Sequence, residues 1–192
     1  VLVVDEEKSV VTYRISESDP TGVLRPPDFN EFQRISELKS IDLGEDGVFI
    51  IQDEDWAFDA IGLPVHGGRQ LEKIEYEVVQ SVTNQATENM SVSSSIVLDL
   101  WKRGLNTRSG FKYGTKWRCY PSDVGEGHAP WLVVDPSSDN PKNWAEACLS
   151  SRLASGVNKH WLYPINDSGN GWRYLQISRP PSDSRWSNPI RH

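Results

Sequence analysis

Cysteine is scarce in this 192-residue chain, with Cys119 and Cys148 its two. Two isolated thiols exclude a disulfide-stapled scaffold, and their apolar neighbours predict buried, free cysteines. No apolar run approaches the length that crosses a bilayer, and no charged-then-apolar stretch reads as a secretory leader. Base is also in short supply: 20 Lys and Arg stand against 27 Asp and Glu, a net charge of −7. That excludes a uniformly basic clamp for nucleic acid, whose phosphate contacts need clustered Lys and Arg. Neither an internal repeat nor a low-complexity tract is present.

What is present fits an ordinary folded protein of one or two domains, 37% hydrophobic and 24% charged. Eight tryptophans are many for this length, and Trp117, Trp172 and Trp186 are candidate stacking surfaces. The charge is uneven. Thirteen of the twenty basic residues lie in residues 100–192, so the C-terminal half is the half suited to phosphates.

Residues 1–4 and 10–15 read as paired strands, and residues 16–27 as loop broken by Pro20, Gly22, Pro26 and Pro27. Asp28 is placed to cap a short helix over 29–38, and residues 47–51 predict a buried strand. Residues 53–61 have helical spacing. Their acidic start, Asp53-Glu54-Asp55, suits a helix N-terminus rather than a metal cluster. His66, beside two glycines, is a turn residue. A helix is expected over 70–89, with Leu71, Ile74, Val78 and Val82 on one face, and another over 96–104 stopped by Gly104. Residues 131–134 predict a strand, 144–157 a helix, and 161–163 and 172–177 two further strands. The serine-rich stretch before residue 96 suggests a boundary, with an N-terminal domain over 1–92 and a C-terminal domain over 93–192.

The stretch from Gly110 to Val134 organises the rest. It reads as two apolar strands joined by a polar loop: Gly110-Phe-Lys-Tyr-Gly114, a strand ending in Tyr120-Pro121, a glycine-rich loop, then Gly127-His128 and a second apolar strand. Further on, Arg152-Leu-Ala-Ser-Gly-Val-Asn-Lys159 closes the helical segment. Taken singly, a tyrosine ending a strand is packing, and a lysine ending a helix is a partner for the helix dipole. A histidine in a glycine-rich loop is the better candidate for chemistry.

In this order and spacing, the motifs resemble the catalytic domain of the tRNA-splicing endonucleases of archaeal type, and the likeness extends back to about residue 70. The resemblance implies an α+β fold: a small N-terminal α/β domain, then a nuclease domain with a mixed sheet flanked by helices. It implies Tyr120, His128 and Lys159 as base, acid and cation for RNA cleavage by the RNA's own 2′-hydroxyl, leaving a 2′,3′-cyclic phosphate and a 5′-hydroxyl. A free tyrosine titrates near pH 10, so a cation must favour its ionised form. No metal or other cofactor is required. Arg152 is implied to stack on a base flipped from a bulge in the RNA. Counting through the loop before the last strand puts Trp172, Arg173 or Tyr174 on the opposite side, with Tyr174 the choice; the bland alternative for Arg152 is a salt bridge to Glu146 or another acid.

The implied substrate is precursor tRNA with a bulge–helix–bulge intron junction. The implied partner is a second endonuclease subunit in a hetero-oligomer, or a second copy of the chain in a homo-oligomer. The last strand would pair across that interface as an edge. The implied location is the cytoplasm in an archaeon and the nucleus in a eukaryote. Two other functions compete. One is a non-catalytic structural or RNA-binding subunit of the same kind of assembly, against which the intact Tyr120, His128 and Lys159 argue. The other is a metal-dependent DNA nuclease, which would need an Asp/Glu-x-Lys triplet that residues 110–165 lack.

Overall fold

A computed structural model describes residues 1–192 apart from 5, 9, 52–55, 57, 168–170 and 182–192. Two valine-rich strands open it: β1 (Leu2–Val4) and β2 (Val10–Thr12) pair antiparallel with Val3 opposite Val11, and β3 (Arg14–Ser18) follows. Helix α1 (Phe29–Glu37) starts where Asp28 predicts. The Asp28 carboxylate accepts from Glu31 N at 3.1 Å, and Glu31 accepts in return from Asp28 N at 2.8 Å, a reciprocal capping box. Strands β4 (Ser40–Asp42) and β5 (Val48–Ile51) come next, then the hairpin β6 (Leu63–Val65) and β7 (Gly68–Leu71), whose turn is His66-Gly67. Helices α2 (Lys73–Thr83) and α3 (Val92–Lys102) lead to β8 (Asn106–Ser109), β9 (Trp117–Tyr120) and β10 (Trp131–Val133). Helix α4 (Trp144–Gly156) and strands β11 (His160–Asp167) and β12 (Gly171–Ser178) complete the α+β fold.

The chain forms two compact units, each gathered from separate stretches of the sequence. One gathers Val1–Asp19, Arg108–Arg118 and Ala129–His192; the other gathers Pro20–Thr107 and Cys119–His128. In the first, β10, α4 and β11 make a parallel β-α-β step, with Trp131 opposite His160. β12 returns antiparallel to β11, and β3 lies antiparallel against β12, with Ile15 opposite Ile177. The sheet, in the order β3-β12-β11-β10-β9-β8, is therefore mixed. Its core joins Tyr13, Leu132, Val134, Trp161 and Ile177 to Ala147, Cys148 and Ala154 of α4. The second unit packs α2 against α1 and α3 and carries the antiparallel sheet β4-β5-β7-β6. Trp101 anchors it. Its ring is fully buried, stacked 6.3 Å from Phe32 and edge-on 6.4 Å from Phe58, and its indole N–H donates to Thr107 Oγ1 at 3.0 Å.

Several expectations change. β12 is not an edge strand, because β3 covers its free side from the other end of the sequence. The helix expected over 70–89 begins three residues later, since residues 68–71 pair as a strand with β5 and β6. Of the helix expected over 53–61, residues 53–55 and 57 lie outside the described residues, and 58–61 form a turn. The acidic run Asp53-Glu54-Asp55, Trp186 and His192 also lie outside the described residues.

Candidate active site

Tyr120 ends β9 and is 8% exposed. The carbonyl of Pro121, the next residue, accepts from Val23 N at 2.7 Å. Residues 124–128 are exposed, and His128 stands at the far end of this loop with its side chain open to solvent. Ala129, directly after it, is buried.

Lys159 is set by the end of α4. Asn158 takes the left-handed conformation, with φ 56°. Asn158 N donates to Ser155 O at 3.1 Å and Lys159 N to Ala154 O at 3.0 Å. This is a Schellman stop with asparagine in the left-handed place. It turns the lysine off the helix axis, so its ammonium does not cap α4. Lys159 is 8% exposed, and its Nζ donates to Ala129 O at 2.5 Å. One residue on, His160 N donates to Pro130 O at 2.8 Å. The parallel β10–β11 register thus fastens the residues that follow His128 to those around Lys159.

A lysine this buried ordinarily has a carboxylate partner. Among the described residues Lys159 makes no ion pair; its partners are the Ala129 carbonyl and the ring of Tyr113, whose centroid lies 5.1 Å from Nζ. An ammonium has three donors, so it retains capacity for an anion. Sequence reasoning gave Tyr113 no role beyond its motif, since nothing local says which way its ring turns.

The stacking candidates fare differently. Arg152 is exposed and, among the described residues, makes no ion pair; Glu146 instead accepts from Lys142 N at 2.6 Å. Trp172 is half-buried. Arg173 donates to Glu17 at 2.8 and 2.6 Å and reaches Asp167 at 3.5 Å. Tyr174 is 0% exposed, between Pro164 on β11 and Ser18 on β3. Cys119 and Cys148 are buried and free, and burial pushes both thiols up. No group of three or more His, Cys, Asp or Glu among the described residues is arranged to hold a metal.

Residues 92–174 match the family described as tRNA intron endonuclease, catalytic C-terminal domain. The match opens on the first residue of α3 and takes in all six candidate residues. A tRNA-splicing endonuclease of Picrophilus torridus is 33% identical over 161 residues, 84% of this chain and 49% of the relative. Residues 92–174 thus carry the catalytic-domain pattern of the tRNA-splicing endonuclease family. Another tRNA-splicing endonuclease, from Thermoplasma volcanium, is 30% identical over 177 residues, 92% of this chain and 53% of the relative. One from Saccharolobus islandicus is 22% identical over 160 residues, 83% of this chain and 76% of the relative. The chain therefore spans about half the length of the first two relatives and three quarters of the third. No helix among the described residues is long and apolar enough to cross a membrane.

Proposed function

We propose that this chain cuts precursor tRNA at bulge–helix–bulge intron junctions without a metal, with Tyr120, His128 and Lys159 as its catalytic residues. Tyr120, as base, takes the proton of the 2′-hydroxyl; the freed oxygen attacks the adjacent phosphorus. The bond from phosphorus to the 5′-oxygen breaks, and His128 protonates that oxygen as it leaves. Lys159 meets the negative charge that builds on the non-bridging oxygens. The products are a 2′,3′-cyclic phosphate and a 5′-hydroxyl. The observation that carries this reading is Lys159 itself: a buried ammonium held by the carbonyl of Ala129, the residue directly after His128, with no carboxylate to neutralise it among the described residues. Such a group fits an anionic ligand better than it fits a structural ion pair.

Two junctions per substrate call for two active sites at a fixed separation, so this reading includes an assembly with a second endonuclease subunit or a second copy of the chain. The carboxylate of Asp167, the last residue of β11, lies 3.5 Å from Arg173 of its own chain.

The test is cleavage of a bulge–helix–bulge RNA in the presence of EDTA, with the ends analysed chemically and the mass followed by light scattering. Wild-type protein should yield cyclic-phosphate ends. His128→Ala should slow the single-turnover rate by roughly 10²- to 10⁴-fold, with RNA affinity little changed. A wild-type rate in His128→Ala, or a strict metal requirement, sinks the assignment.

A further inference from the structure

The turn Gly110-Phe-Lys-Tyr-Gly114 is built to hold one ring in place. Tyr113 N donates to Gly110 O at 2.8 Å, and Gly114 N to Phe111 O at 3.1 Å, closing a single 3-10 turn. Gly110 N donates to Lys116 O at 2.9 Å, and a Cβ on Gly110 would sit 2.6 Å from Thr115 O, so the turn is pinned where another residue does not fit. Phe111 and Lys112 point to solvent, Phe111 at 88% exposure, whereas the Tyr113 ring turns back over the Lys159 ammonium.

We propose that Tyr113 is a positioning residue: its ring holds the Lys159 ammonium against the Ala129 carbonyl and offsets its charge without cancelling it. The proposal rests on the assignment of Lys159 as the cation that meets the phosphate. A carboxylate in the place of Tyr113 would fix the ammonium equally well. It would also neutralise it and compete with the incoming phosphate. The face of an aromatic ring attracts a cation through its quadrupole and carries no net charge. Together with a neutral carbonyl it steadies the lysine, leaves the full positive charge, and leaves donors on the ammonium for an oxyanion. Tyr113 touches the lysine and not the reacting atoms, so its effect must pass through Lys159.

The experiment uses the full chain in its active assembly, with three replacements at 113. Tyr113→Phe keeps the ring. Tyr113→Leu removes it. Pentafluorophenylalanine keeps the shape and reverses the quadrupole, so a loss there is not a loss of folding. Cleavage rate and RNA affinity are measured separately, and the ε-methylene shifts of Lys159 are followed by NMR. Tyr113→Phe should cut within about threefold of wild type. The leucine and fluorinated variants should cut on the order of tenfold more slowly, at unchanged affinity, with displaced Lys159 shifts. In a Lys159→Ala background the leucine change should cost nothing further, because the two residues act as one unit. If Lys159→Ala is slow but the leucine and fluorinated variants cut at the wild-type rate, Tyr113 has no positioning role. If Lys159→Ala itself cuts at the wild-type rate, the cation assignment fails and this inference with it.

Discussion

Arg173 of β12 donates to both carboxylate oxygens of Glu17 of β3, at 2.8 and 2.6 Å, across a sequence separation of 156 residues. The pair sits on an antiparallel contact in which Leu175 lies opposite Glu17. It helps fix the register of the strand that covers β12. The hydrogen bond from Arg173 holds the Glu17 carboxyl below the usual carboxylate range, and the glutamate in turn raises Arg173. Because the folded-state value of Glu17 is lowered, its contribution to stability is present above the unfolded value and lost as pH falls through the folded one. Both side chains are about half exposed, so salt screens the pair. Glu17→Gln should lower Tm by about 1–3 °C at neutral pH and low salt. The difference should shrink at acid pH, as the pH falls through the lowered folded-state value of Glu17, and also in high salt. Thermal scans of both proteins across pH check this; a difference that persists at acid pH would show that the pair does not act through charge.

The local signals were the legible ones. Asp28 announces α1 because a capping carboxylate and the helix it caps are neighbours in sequence. The apolar runs of β5, β9 and β10 name themselves in the same way, and motif order is what singles out Tyr120, His128 and Lys159 as candidates. What stayed hidden was pairing at long range. Nothing in Arg14–Ser18 says that it will lie against β12, and that single contact removes β12 from the edge. It also flanks Tyr174, whose burial the spacing of the last strand could not reveal. The helix expected from residue 70 shows the converse failure. Leu71 falls on the apolar face of that helical pattern, yet it belongs to β7, and Glu72 marks the true start of α2.

Gly22 makes a backbone junction that admits no side chain. Its N–H donates to Arg103 O at 2.9 Å, while Val23 N donates to Pro121 O at 2.7 Å. A Cβ on Gly22 would lie 2.0 Å from Gly104 O and 2.7 Å from Pro121 O, and backbone atoms cannot swing aside as a flexible side chain does. Gly22→Ala should therefore cost at least the 1–3 kcal/mol typical of overpacking, read as a lower midpoint in urea with little change in slope. Since Pro121 directly follows Tyr120, cleavage should fall even at temperatures where the variant is fully folded. A stable Gly22→Ala protein with normal activity would show that the junction relaxes freely.

The last prediction concerns how the RNA is gripped. Arg152 is exposed on α4 and makes no ion pair among the described residues, so its removal should leave the fold intact. On β12, Arg173 is committed to Glu17 and Asp167, and Tyr174 is enclosed, which leaves the half-buried Trp172 as the aromatic of the original three that retains an accessible surface. If Arg152 and Trp172 stack on an unpaired base, each removal should cost about 1–3 kcal/mol of binding to a bulged RNA, roughly a 5- to 150-fold rise in Kd. The same changes should matter far less for a fully paired duplex of equal length, whose bases are already stacked. Affinity for the two RNAs, measured at one salt concentration, checks this, because phosphate contacts alone would weaken both alike. Arg152→Lys separates the two contributions further. It keeps the charge and loses the planar guanidinium, so stacking predicts a loss near that of Arg152→Ala, and a purely electrostatic contact predicts near-normal binding. Equal weakening on bulged and paired RNA, with full rescue by lysine, would remove Arg152 from the base-holding role.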